Sequence, residues 1–127
     1  QSAQGRRFLM KLSLTLWLLG FMLKRALRRK PRFREQLERM RGLDWGVATE
    51  DLSIARYYRM APNGITTGKG LPVDLDLELR FRDQDTALRI LKKPTQQAFL
   101  DGMVAGDVRL VGDSSDMNKL QKLLKYL

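Results

Sequence analysis

"PTQQAFLDGMVAGDVRLVGDSSDMNKLQKLL", Pro94 to Leu124, reads as a helix, a strand and a second helix in one short run. Proline cannot sit inside a helix but is at home at the start of one, so a short helix is expected over 95–104. In "GDVRLVG", 106–112, apolar residues alternate, which predicts a strand with Val108 and Leu110 turned inward. Asp113 or Ser114 then caps a last helix, with Asp116 well placed in its first turn. Met117, Leu120, Leu124 and Leu127 share one face of that helix, and Lys119, Lys122 and Lys125 lie elsewhere.

Upstream, "VDLDLELRFR" at 73–82 alternates throughout. Val73, Leu75, Leu77, Leu79 and Phe81 fall on one face, which predicts a half-buried antiparallel strand with a polar wet side. "DTALRILKK" at 85–93 has helical spacing and ends on cations. "WGVAT" at 45–49 and "SIARYYRM" at 53–60 are short strand candidates, and Asn63-Gly64 is a strong hairpin signal. Residues 43–127 therefore read as a small α+β domain.

Residues 6–42 differ in kind. Between Lys11 and Lys24 lie 12 uncharged residues, LSLTLWLLGFML. A membrane span wants roughly 18 or more, so this run suits a buried or interfacial helix better. A signal peptide would carry its cations ahead of the apolar block, and here they follow it. Leu12, Leu16, Leu19 and Leu23 lie on one face of a helix, with Ser13, Trp17, Gly20 and Lys24 opposite. A helix apolar on most sides must be covered on more than one. Pro31 should break it before a second helix from Arg32 to Arg41, closed by Gly42. Residues 1–5 read as a polar lead-in, and the two helices and the domain as one structural unit.

Net charge is +10 overall, yet Gln1 to Trp45 holds 12 Lys+Arg against 3 Asp+Glu, and the remainder is nearly neutral. The cations Lys24, Arg25, Arg28, Arg29, Lys30, Arg32 and Arg34 abut the apolar block, an arrangement typical of a membrane-surface helix. Nucleic acid is a weaker match, since stacking aromatics should interleave the cations and only Phe33 does. A partner protein or a second copy of the chain would also cover an apolar helix.

Cys and His are both absent, which removes thiolate metal sites and the commonest general base. "GITTGKG" at 64–70 has the wrong spacing for a phosphate-binding loop and suits a hairpin. The Ser and Asp residues of "GDSSD" at 112–116 are explained by capping, and Asp74, Asp76 and Glu78 by a solvated strand face. No constellation suits an active site, and no cofactor is implied.

Pro94, the Ala98-Phe99 pair, the strand Gly106 to Gly112 and Lys119-Leu120-Gln121 together resemble the C-terminal signature of the sterol carrier protein (type 2) domain. "LPVDLDLELRFRDQDTALRIL" is similar to that family's alternating strand and acidic-start helix, so the resemblance covers roughly 43–127. The N-terminal helices look more like the family's bacterial branch, which includes lipid-binding accessory proteins of ubiquinone biosynthesis. The resemblance implies a five-stranded, mainly antiparallel sheet with helices over one face. It also implies an apolar tunnel between them for a sterol, acyl chain or isoprenoid lipid. Candidates for the ligand wall are Trp17, Phe21, Leu77, Leu79, Leu88, Leu91, Phe99, Met103, Met117, Leu120 and Leu124, each of which also suits ordinary core filling. Six methionines, Met10 among them, add adaptable wall material. Asp116 and Asn118 replace apolar residues of the family pattern, which predicts a more polar tunnel mouth, and "MVA" at 103–105 reads as an insertion. The function implied is non-catalytic binding, shielding or presentation of a hydrophobic lipid at the cytosolic membrane surface. The alternative is an interaction module, pairing with itself or with a biosynthetic enzyme.

Overall fold

The computed structural model describes residues 2–93 and 95–127, with side chains from Lys11 onward. Pro94 and the side chain of Met10 therefore lie outside the described residues. The apolar run and its basic continuation form one helix, α1 (Ser2–Arg29), which takes in Ser2 to Gly5 of the polar lead-in as well. The chain turns at Lys30, and α2 (Pro31–Arg39) begins on Pro31, whose missing N–H is no loss in a first turn. Gly42, at φ +84, closes α2 by donating its N–H to the Leu37 carbonyl at 2.9 Å.

Three strands follow as an antiparallel meander: β1 (Leu43–Thr49), β2 (Ala55–Ala61) and β3 (Gly64–Lys69). Between β1 and β2, the Asp51 carboxylate accepts from the Thr49 hydroxyl at 2.6 Å and from the Ser53 N–H at 3.0 Å. That local network starts β2 at Ala55, two residues later than its sequence pattern predicts. The next turn sits on Pro62-Asn63, because Ala61 pairs with Gly64. Proline locks φ negative and so bars the primed turn that Asn63-Gly64 would otherwise favour.

The chain then builds β4 (Leu77–Phe81), α3 (Gln84–Lys92), α4 (Gln96–Ala105), β5 (Val108–Gly112) and α5 (Ser114–Leu124). The sheet order is β3-β2-β1-β4-β5, with β4 parallel to β1 and every other pair antiparallel. This corrects the reading of 73–82 as one antiparallel strand. To pass from β3 to the far side of β1, residues 70–76 must cross the sheet, and they do so over the face away from the helices. Val73 there is fully exposed, and Leu71 and Leu75 lie against Gly46 of β1, where an added Cβ would come within 2.4 Å and 2.9 Å of them. Only a residue with no side chain leaves room for that crossing. The Asp76 carboxylate fixes its end by accepting from the Asp44 N–H at 3.0 Å.

The helices cover the other face. Trp45, Val47, Tyr58, Met60, Leu77, Leu79 and Phe81 of the sheet share one buried core with Leu12, Leu16 and Leu23 of α1 and Phe33 and Leu37 of α2. Ala87 and Ile90 of α3, Phe99 of α4 and Met117, Leu120 and Leu123 of α5 complete it. Full burial of a Leu or Phe side chain stabilises by about 1.5–3 kcal/mol, so the N-terminal helices are bound firmly to the sheet. Gly20, read as lying opposite the apolar face of α1, is instead buried, with its Cα side 3.3 Å from Tyr58 and 3.6 Å from Thr67 for any Cβ placed there. The Tyr58 hydroxyl donates to the Leu16 carbonyl across the same contact. Caps end the remaining helices as their residue types predict: Asp83 accepts from the Thr86 N–H, Thr95 from Ala98 and Asp113 from Ser115. "MVA" at 103–105 is no loop insertion; it forms the last turn of α4.

Candidate functional site

α1 crosses the helix-covered face of the sheet and leaves a gap beside it. Trp45 of β1 and Leu79 of β4 form the floor of this pocket. Its walls are Leu91 and Lys92 of α3, Phe99 of α4, and Leu124 and Leu127 at the C-terminal end. Thr15, Leu18, Leu19 and Met22 of α1 close it, leaving a volume of about 390 Å³. Leu18 and Met22 are each more than 40 % exposed, so the mouth lies along α1. The floor is held rigidly. Trp45 stacks on Tyr58 with ring centroids 4.7 Å apart, and its indole N–H points at the Met60 sulfur at 3.5 Å. Size and lining match the general pattern of small-molecule sites, which run to roughly 300–1,000 Å³ and are mostly apolar.

The sequence candidates distribute unevenly about this pocket. Leu79, Leu91, Phe99 and Leu124 line it. Leu77, Met117 and Leu120 are buried in the core beside it, and Leu88 and Met103 pack part-buried against that core. Trp17 and Phe21 sit on the opposite flank of α1, 54 % and 50 % exposed, with their rings stacked at 6.5 Å. Asp116 and Asn118 do not line the pocket: Asp116 pairs with Lys119 at 3.4 Å, and Asn118 borders a neighbouring cleft, between the start of α4 and α5, that shares Leu124 with the pocket. Sequence reasoning did not place Thr15, Leu18, Leu19, Trp45, Lys92 or Leu127 in the ligand wall, and named Met22 only among the methionines in general. For Leu18 and Met22 a signal was present, since they stand four apart on one strip of α1. A continuous tunnel is not shown among the described residues.

Lys24, Arg25, Arg28, Arg29, Lys30, Arg32 and Arg34 are all exposed, and among the described residues no carboxylate forms an ion pair with any of them. Lys30 donates to the Tyr126 carbonyl, and Arg34 to that of Leu27 at 3.4 Å. Carboxyls held below their ordinary range stand elsewhere, each with a local cause. The Arg109 guanidinium lowers Glu50, the Arg59 guanidinium lowers Asp74, and capped backbone N–H groups lower Asp83 and Asp113. Burial pushes the Tyr58 phenol up. The carboxyl shifts trace to caps and surface ion pairs, the Tyr58 shift to the core, and none belongs to a residue lining the pocket.

A mixed five-stranded sheet with helices on one face and an apolar pocket beneath them is the sterol carrier protein 2 fold. Among solved structures, the chain is similar to a protein described as "UbiJ-SCP2 Ubiquinone synthesis protein", with a TM-score of 0.67 at 15 % identity, over 90 % of this chain and 95 % of that one. It is also similar to apo sterol carrier protein 2 of Yarrowia lipolytica, with a TM-score of 0.57 at 13 % identity, over 85 % of this chain and 88 % of that one. A third match, to the sec-alkylsulfatase Pisa1 of Pseudomonas sp., has a TM-score of 0.53 at 14 % identity and covers 72 % of this chain but 14 % of the enzyme. No known family's sequence profile and no curated protein matches the chain. At such identities the likeness is one of fold.

Proposed function

We propose that this chain binds a hydrophobic lipid between α1 and the sheet and shields or presents it at a membrane surface, without making or breaking bonds itself. The apolar pocket of about 390 Å³ carries the reading. Its mouth is open along α1, so when empty it presents apolar wall to water, and an apolar occupant that covers this wall stabilises the fold. The fold shared with sterol carrier protein 2 and with a ubiquinone synthesis protein supports the same reading and puts acyl and isoprenoid quinone-type lipids first among cargoes. No described helix is long and apolar enough to cross a membrane. Docking at the cytosolic leaflet would then be peripheral, with Trp17 and Phe21 dipping in and Lys24, Arg28 and their neighbours held by anionic head groups.

Native mass spectrometry of the purified protein, followed by organic extraction, tests the cargo. A co-purifying acyl or isoprenoid lipid near one per chain supports the carrier. A protein that stays empty when offered fatty acids, phospholipids and quinones overturns it. A second reading follows from the exposed strip Leu14, Trp17 and Phe21, which a protein partner or second copy would cover equally well. Replacing Arg28, Arg29 and Lys30 by Glu should abolish vesicle binding under the first reading and leave it unchanged under the second.

A further inference from the structure

The cations of α1 fall into two groups that face different ways. At 100° per residue, Leu18, Met22, Arg25 and Arg29 follow one another along a single strip of the helix, whereas Trp17, Phe21, Lys24 and Arg28 form the next strip round. Arg25 and Arg29 are therefore turned away from the aromatic pair. They border a second cavity of about 330 Å³, shared with Lys30, Tyr126 and Leu127. Met22 and Leu127 line both this cavity and the apolar pocket, so the two adjoin end to end. One is walled mainly by aliphatic and aromatic side chains, with Thr15 and Lys92 its polar members. The other has three cations and, among the described residues, no Asp or Glu side chain in its lining. The Lys30 ammonium, already donating to the Tyr126 carbonyl, ties the C-terminal wall to the end of α1. The Tyr126 ring is braced edge-on against buried Phe33 at 6.4 Å.

We infer that the two cavities form one elongated site for an anionic amphiphile, with the tail under Leu18 and Met22 and a carboxylate or phosphate head between Arg25, Arg29 and Lys30. This rests on the lipid-binding reading above and narrows it to a charged class of lipid. Guanidinium groups suit such heads because they pair with two oxygens at once. An anion there also relieves the mutual repulsion of three cations crowded at one helix end.

The test is displacement of a fluorescent fatty acid in the absence of vesicles, below micelle-forming concentration. The competitors are palmitate, the uncharged alcohol of the same chain length, and inorganic phosphate alone. The carboxylate is expected to bind about tenfold or more tightly than the alcohol. Arg25→Gln with Arg29→Gln should erase that preference and leave alcohol binding intact. Arg39→Gln with Arg41→Gln, which removes equal charge from the end of α2 and the turn after it, should preserve it. Equal binding of acid and alcohol by the unaltered chain overturns the head-group site alone, as does a double variant that keeps the preference. Displacement of palmitate by millimolar phosphate alone would show a free-anion site and overturn the two-part ligand. If neither amphiphile binds, the head-group site falls together with the acyl-cargo form of the lipid reading.

Discussion

Replacing Trp17 and Phe21 together by Ser should cut membrane binding sharply while the fold stands. The two rings are 54 % and 50 % exposed. An aromatic side chain carries roughly 150–250 Å², so together they offer about 200 Å² of apolar surface to a bilayer. At ~25 cal/mol per Å², complete transfer of that surface is worth about 5 kcal/mol, and half-depth insertion about 2–3 kcal/mol. The latter is about a 30- to 150-fold change in partitioning. The neighbouring cations act differently, adding about 1 kcal/mol each near an anionic surface and losing it to screening as salt rises. Sedimentation with sucrose-loaded vesicles of phosphatidylcholine and phosphatidylserine separates the two contributions. The parent should bind at low salt and retain part of its binding at high salt. The double variant should lose the salt-resistant part. Lys24→Glu with Arg28→Glu should lose the salt-sensitive part. Circular dichroism should show intact folding for both variants, since neither pair belongs to the buried core. Undiminished vesicle binding by the aromatic double variant at every salt concentration would refute the insertion argument.

Leu91→Trp should fill the apolar pocket and lower lipid occupancy about tenfold or more, with little change in urea midpoint, as read by native mass spectrometry and denaturation. Asp107 is mostly buried and holds Arg82 at 3.1 Å and Arg89 at 3.0 Å, so Asp107→Ala should cost about 1–3 kcal/mol in urea unfolding. Gly46→Val should cost about 1–3 kcal/mol by the same measure, because the new side chain meets Leu71 and Leu75 where the chain crosses the sheet. The Asp51 carboxyl is held from its ordinary 3.8 down to about 2, first by the Thr49 hydroxyl and then by the Ser53 N–H. A lowered folded-state pKa stabilises above the unfolded value and is lost as pH falls through the folded one. Asp51→Asn should therefore flatten the acid limb of the urea midpoint between about pH 4 and pH 2, relative to the parent.

How far the sequence reveals this molecule depends on how local the deciding interactions are. Helix ends are written within a few residues, by Asp83, Thr95, Asp113, Pro31 and Gly42, and the pattern predicts them closely. The alternation of Leu77, Leu79 and Phe81 likewise marks the inner face of β4. The same alternation over Val73 and Leu75 carries no strand, because what governs those residues is the need to cross from β3 to β4, a matter of topology. Two-fold spacing states which residues could share a face, and the path of the chain decides which of them reach it. The pocket follows the same rule. Phe99, Leu91 and Leu124 are legible as apolar positions on their own helices, yet Trp45, on β1, meets them only through the packing of those helices on the sheet, which no local spacing records. Along α1 itself the division of labour is again periodic. One strip runs from Leu18 through Met22 into Arg25 and Arg29, the next from Trp17 through Phe21 into Lys24 and Arg28. Each passes from apolar to cationic in the same direction, so a lipid held in the pocket and a lipid leaflet outside would lie parallel on either side of one helix. A cargo entering at the mouth between Leu18 and Met22 would then keep its head at the cationic end throughout, with no need to turn over on leaving the bilayer.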